Sequence, residues 1–265
     1  MHVSSKQWSH CTSVEWLEAR RNVLTASDVK ALKSDWKKFG KAWKAGTLGQ
    51  VPPSFIGVYA EKTSKAEPDP WSFGAAARGH IMEPYAVEEF NEVTGSSFYH
   101  WDDAVVSHGC IGFSPDALDI KQPDKGVEFF SLLGNLHTTS KYPVCSTPTK
   151  MLEVKCYEPA HHLKNYMADK MTLDERWQIA VAMETCHSIE EAYLVQFCPD
   201  AMVPLFWHTY SREDLADEIK TVNGIVRMWE DMCTRISDAC DEMPNKNYEG
   251  FEDMVYQRWT ESFAG

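Results

Sequence analysis

The chain has eight cysteines (Cys11, Cys110, Cys145, Cys156, Cys186, Cys198, Cys233 and Cys240) but no C-x-x-C pair among them. That absence excludes the usual zinc ribbons and dithiol redox motifs and leaves free thiols in a reducing compartment as the expectation. A helical H-x-x-x-H pair is also missing, so no transition-metal site of that kind is signalled. No apolar run approaches the roughly 20 residues of a membrane span. The opening MHVSSKQWSH lacks the hydrophobic segment of a secretory signal. A soluble, intracellular protein without a membrane partner is therefore expected. Internal repeats are absent.

What is present has ordinary globular proportions. Of 265 residues, 43% are hydrophobic and 25% charged, enough apolar material for one sizeable core. The expectation is a single domain over 1–265, with an insertion at 121–150 and a C-terminal tail at 237–265. A formal net charge of −13 would by itself repel phosphate. The charge is unevenly spread, however. Residues 1–82 carry twelve Lys and Arg against seven Asp and Glu, and from Asp200 onward fourteen acids face six bases. A positive N-terminal face can coexist with an acidic C-terminal one, so a polyanionic partner is still allowed on one side.

Along the chain, Ser13 before VEWLEARR reads as a capped helix to about Arg21. A second short helix starts near Thr25 and includes Val29, Ala31 and Leu32. In KSDWKKFGKAWK (33–44) lysines interleave with Trp36, Phe39 and Trp43. That pattern suits either a nucleic-acid face, with cations for phosphate and aromatics for bases, or an amphipathic helix with an aromatic core side. Residues 45–70 read as loop. FGAAARGHIMEPYAVEEFNEVTG (73–95) has the helical period and a glycine stop. Strand-like alternation runs from 98 to 120, an irregular stretch follows, and then come the strand MLEVKCY, a helical pattern at 161–187, strands at 191–199 and 205–210, and a helix at 212–236. This order predicts an α/β (α+β) protein with a mixed central sheet between helices.

In MLEVKC (151–156), Glu153 and Lys155 lie two apart and share a strand face, opposite Val154. Alone, the pair reads as a surface ion pair. Upstream, GFSPDAL places Asp116 at a strand-to-turn junction. Two carboxylates at neighbouring strand ends can converge on a hard cation that takes oxygen ligands and keeps several waters. A lysine two residues past the second carboxylate could then orient a water or stabilise charge on a phosphate oxygen.

P-D followed at a distance by E-x-K resembles the PD-(D/E)xK nuclease superfamily, and the local wording resembles the phage lambda exonuclease family, also called YqaJ-type viral recombinases. RRNVLTASDV (20–29) is similar to that family's R-x(6)-S segment, and ARGHIMEPYAVEEFNEVTG to its G-x-x-x-E helix. SPDAL is similar to its S-P-D-G-L, LEVKC to its L-E-[LIV]-K-C, and ERWQIAVAM (175–183) to its glutamine-bearing helix. Together these five blocks outweigh the surface-pair reading of E-x-K.

The resemblance implies a restriction-endonuclease-like core and a magnesium-dependent exonuclease, with manganese as a substitute, that degrades one strand of linear double-stranded DNA from its ends, 5′ to 3′. It implies that Asp116, Glu153 and the Val154 backbone carbonyl ligate the metal, with help from Glu83. Lys155 would act on the attacking water, and Gln178 would contact the site. Arg20 and Ser27 would grip a 5′-phosphate, Arg21 competes for the same role, and Arg78 is an extra phosphate contact. A toroidal homotrimer and a single-strand annealing protein are the implied partners, in the cytoplasm or nucleus of a host cell. Read without the family, Glu83 is a helix-surface carboxylate, Ser27 a helix cap and Gln178 an ordinary polar position, while His108, His161 and His162 are incidental or face DNA. Another nuclease of the superfamily, or an inactive DNA-binding descendant, are the rivals; retention of Asp116, Glu153 and Lys155 together argues against the latter.

Two departures stand out. Ala117 replaces the family glycine after P-D, and Glu153 lies 37 positions after Asp116, far beyond the family's short hairpin. The intervening FFSLLGNLH is too apolar for a solvated linker.

Overall fold

The structure, a computed structural model, describes residues 14–64, 75–101, 104–121, 130–131, 147–169 and 173–241. Helix α1 (Val14–Arg21) is followed by α2 (Ala26–Lys44), one continuous helix where two short segments were expected. Its start is fixed at Thr25, whose backbone N–H and hydroxyl both donate to Asp28 Oδ2, at 2.7 and 2.8 Å. Thr25 therefore occupies the cap position, and Ser27 is left inside the first turn with its side chain exposed.

The aromatics of α2 belong to the core. Trp36, Phe39 and Trp43 pack on buried residues, and Trp43 Nε1 donates to Asp231 Oδ2 at 3.1 Å. Two glycines make room for Trp36: a Cβ on Gly224 would come within 2.3 Å of its ring, and one on Gly40 within 2.8 Å. The amphipathic-helix reading of 33–44 thus holds for the aromatics. Residues 45–70 are not simply loop, because Pro53–Thr63 forms α3 with Phe55 and Val58 buried. Proline at the first helical turn, where an N–H would go unbonded anyway, starts it.

Helix α4 (Ala75–Thr94) ends at Gly95, whose φ of +70° terminates it in the left-handed region. Short strands follow: β1 (Tyr99–His100), β2 (Val106–His108), β3 (Ile111–Phe113), β4 (Ala117–Leu118) and β5 (Phe130–Ser131). Then come β6 (Lys150–Lys155), α5 (Pro159–Ala168), α6 (Leu173–Thr185), β7 (Glu191–Phe197), β8 (Leu205–Ser211) and α7 (Ala216–Asp241). The helical stretch expected at 161–187 is two helices, with Asp169 in left-handed conformation (φ 45°) closing the first. Helix α7 runs five residues into the span expected as tail.

The main sheet has the order β1-β4-β6-β7-β8. Only β6 and β7 pair in parallel; the other neighbours are antiparallel, giving the mixed α/β sheet expected. A smaller sheet, β3-β2-β5, accompanies it. Both faces of β6 are covered. Leu152 and Val154 pack with Ala86, Val87 and Phe90 of α4, while Met151 joins the cluster built on α6, α2 and α7. Phe90 is fully buried there, and its truncation to alanine would cost about 3–5 kcal/mol. The middle of helix α6, Ile179 to Met183, is apolar and buried all round, as suits a segment enclosed by other elements.

The long connection between β4 and β6 lies largely outside the described residues, yet its ends are tied together. Asp119 accepts from the Thr149 N–H at 3.0 Å and from its hydroxyl at 2.6 Å. Ala117 pairs with Leu152 and Leu118 with Met151, so the insertion leaves the pairing of the two strands intact. Ala117 itself is fully buried under α4.

Candidate active site

The register brings Asp116 and Glu153 together. With Ala117 opposite Leu152 in an antiparallel pair, one more step places Asp116 opposite Glu153 on the same face. The Val154 N–H donates to Asp116 Oδ2 at 2.6 Å. Since the N–H and C=O of a strand residue face the same edge, the Val154 carbonyl also faces the Asp116 side. Glu153 is 5% exposed, and its Oε1 accepts from Lys155 Nζ at 2.5 Å. The E-x-K pair is thus an ion pair, but a shielded one, and the surface reading fails on burial.

Charge is out of balance here. Burial pushes the Asp116 carboxyl well above the ordinary range, and the nearby charges of Glu153 and Glu83 push it further, opposed by Lys155 and the Val154 N–H. Burial works against the Lys155 ammonium, but Glu153 and Asp116 outweigh it and hold the amine protonated above its usual range. Two acids share one lysine here, and their mutual repulsion favours a proton or a cation at Asp116.

Glu83 approaches from α4 and is held differently. Its Oε2 accepts from His80 Nδ1 at 3.3 Å and stands 3.8 Å from His100 Nε2, beyond hydrogen-bonding range but close enough for electrostatic attraction. Burial pushes Glu83 up, yet His100 and His80 overcome it and bring the carboxyl down to about 2.

Arg20, Ser27, Glu153 and Gln178 all line one cavity of about 70 Å³, with Thr25, Ser114 and Gly112 among its other walls. Helices α1, α2 and α6 thereby deliver the residues of two separate sequence blocks, 20–29 and 175–183, to Glu153. Arg20 lies over the Trp16 ring, 4.4 Å from its centroid, and Trp16 Nε1 donates to Ser114 Oγ at 3.0 Å. Burial lowers the Arg20 pKa, while Asp28 and Glu153 favour its charge. Arg21 points elsewhere, donating to the Ser64 carbonyl at 3.2 Å, and is not among the cavity walls. Arg78 is in α4, with its side chain outside the described residues. His162 is buried against the Val203 carbonyl at 2.8 Å, whereas His108 and His161 sit in aromatic contacts with His187 and Tyr157.

Among the described residues, no three His, Cys, Asp or Glu side chains gather as a ready ligand set for one ion. Asp116, Glu153 and the Val154 carbonyl are nevertheless hard oxygen donors with an excess of negative charge between them. They fit a small divalent cation that keeps several waters and needs few protein ligands. Zinc or copper would ask for nitrogen or sulfur donors, and none of these three is one; the imidazoles of His80 and His100 face Glu83 instead.

Several neighbours escaped the sequence reading. Trp16 is four residues before Arg20 and His80 three before Glu83, both helical spacings that signal contact. Glu175, 2% exposed, is three before Gln178 and accepts from the Tyr157 hydroxyl. His100 reaches Glu83 only through the β1–β4 register, which no local pattern announces.

The profile of the YqaJ-like viral recombinase domain matches residues 15–188. No curated protein matches the chain. Among solved structures, the alkaline exonuclease LHK-Exo from Laribacter hongkongensis is similar with a TM-score of 0.56 at 17% identity, over 88% of this chain and 100% of that one. The same enzyme in complex with dAMP gives the same values. At that identity the likeness establishes the fold. Among the described residues no helix is long and apolar enough to cross a membrane.

Proposed function

The chain belongs to the YqaJ-like viral recombinase family and is a deoxyribonuclease; from that premise we propose that it is a magnesium-dependent exonuclease that resects one strand of linear duplex DNA from its ends, 5′ to 3′, in recombination by single-strand annealing. The observation that carries the reading is the shared cavity: a half-buried cation, Arg20, an exposed hydroxyl, Ser27, and a buried acid, Glu153, face one small space. A terminal phosphate held by the first two would lie beside the third.

Asp116, Glu153 and the Val154 carbonyl would hold magnesium, or manganese in its place, with Glu83 reaching its water shell. When bound, the ion supplies Lewis-acid assistance to the phosphate and lowers the pKa of water. Lys155 orients the attacking water and stabilises the charge developing on the phosphate oxygens. Arg20 grips the 5′-phosphate with charge-assisted bonds, Ser27 adds its hydroxyl, and Gln178 orients the strand from α6. Arg78 lends a further phosphate contact. Because Arg21 is engaged with the end of α3, Arg20 is favoured for the terminal phosphate. A ring of three copies around the duplex, and a single-strand annealing protein downstream, complete the reading.

The test is incubation of end-labelled linear duplex and covalently closed circle with magnesium. Progressive loss of the linear 5′ label with the circle intact is expected. Cutting of the circle would replace this reading with an endonuclease, and an intact duplex label beside loss of label from a parallel end-labelled single strand would replace it with a single-strand exonuclease.

A further inference from the structure

Arg20 rests on a buried ring. Trp16 is 5% exposed, stands one turn before Arg20 on α1, and packs with Ala19, Val23 and Val105. Its ring face and its N–H are each engaged with a wall of the Arg20 cavity. The Arg20 guanidinium lies 4.4 Å from the ring centroid, and the indole N–H donates to Ser114 Oγ at 3.0 Å. Arg20 and Ser114 face the same small space as Ser27. Because Ser114 is two residues before Asp116, the tryptophan ties α1 to the turn that carries Asp116.

The main chain and the side chain of Arg20 are held by different partners. Lys62 Nζ on α3 donates to the Arg20 carbonyl at 3.1 Å and pairs with Asp28 at 2.7 Å, which fixes the end of α1 against the start of α2. The long side chain has rotamer freedom of its own to lose. A guanidinium stacked on an aromatic face keeps its charge and its planar fork of donors while that freedom is reduced. A group ordered in advance gives up less when a ligand arrives. The bond to Ser114, beyond the end of β3, keeps the ring itself from tilting away. We propose that Trp16 is a positioning residue that sets specificity for a phosphorylated 5′ end: it holds the Arg20 guanidinium at the cavity, in a fixed place relative to the Asp116 turn. The proposal rests on the reading in which Arg20 grips that phosphate.

The experiment is steady-state cleavage of linear duplex with 5′-phosphate or 5′-hydroxyl ends, with magnesium, by wild type, Trp16→Phe, Trp16→Leu, Arg20→Ala and the double variant W16L/R20A, with thermal unfolding measured on each. The ratio of kcat/KM for phosphorylated over hydroxyl ends should fall roughly tenfold in W16L, which removes the ring, the loss appearing in KM for the phosphorylated end. It should fall roughly threefold in W16F, which keeps a ring but loses the N–H and the stronger indole face. In the R20A background W16L should lower the ratio no further, because the two residues act as one unit. An unchanged ratio in W16F and W16L, or cleavage of both ends falling alike with thermal stability, would overturn the positioning role; W16F decides the matter if W16L does not fold. A wild type without preference for the phosphate, or an R20A protein that keeps the full preference, would overturn the Arg20 reading itself and this proposal with it.

Discussion

Asp116 and Glu83 are both carboxylates shielded from water at the same site, yet their surroundings drive them in opposite directions. Around Asp116 the neighbours are two further acids, Glu153 and Glu83, a single lysine already bonded to Glu153, and one backbone N–H, and burial and those acids push the carboxyl up. Around Glu83 stand two histidines, and the carboxyl is held at about 2. Burial is common to both; whether the neighbours repel the carboxylate or hydrogen-bond to it decides the outcome. Asp116 faces acids with one shared lysine and Glu83 faces two imidazoles, so the first is where an external cation has most to offset.

Removing the acid at the deficient corner should therefore do two opposite things. Asp116→Asn keeps an oxygen acceptor for the Val154 N–H but removes the charge. Cleavage of end-labelled duplex should fall by roughly 1,000-fold or more, while thermal unfolding in EDTA at pH 7.5 should shift upward by a few degrees, about 1 kcal/mol in a chain of this size. The direction follows from linkage: an acid whose pKa is raised on folding binds its proton more tightly in the folded state, so it costs stability as pH rises past its unfolded value. Lys155→Ala should abolish cleavage to a similar degree yet leave duplex binding largely intact. Near-normal turnover in K155A would remove the lysine from the mechanism.

Next in size is Arg20→Ala. Loss of a charge-assisted contact to a terminal phosphate is worth about 1.5–3 kcal/mol, so the preference for 5′-phosphorylated over 5′-hydroxyl ends should shrink by roughly 10- to 100-fold. Competition between the two ends measures it, and an unchanged preference would move the role away from this cavity.

The smallest effect is expected at the well-supplied corner. Glu83, with its carboxyl lowered from 4.5 to about 2, contributes stability that is present above about pH 4.5 and lost as pH falls toward 2. Urea unfolding across that range should show a shallower acid loss for Glu83→Gln than for wild type. Equal slopes would mean that the histidines do not satisfy this carboxylate, and the contrast with Asp116 would weaken.

Much of this was legible in the residues. Alternation in MLEVKC puts Glu153 and Lys155 on one face, and the SPDAL block names Asp116. Two further blocks supply Arg20, Ser27 and Gln178, which meet at one cavity. The helix at Pro53–Thr63 was hidden because its glycine, proline and lysine content mimics a loop, and only its packing of Phe55 and Val58 on α2 and α7 reveals it. The aromatics of 33–44 could not be assigned from spacing alone, since a core side and a base-stacking side share the same period; Gly40 and Gly224, far apart in sequence, settle it. His100 and Tyr157 were missed because their roles depend on strand register and on where the chain turns after β6.

The charge deficit at Asp116 can be tested without DNA. Thermal unfolding of wild type, D116N and E83Q should be followed while magnesium is titrated into metal-free protein. Wild type should gain stability with rising magnesium, E83Q should gain nearly as much, and D116N should gain little or nothing. A D116N protein stabilised by magnesium as strongly as wild type would show that the cation is not drawn to this corner.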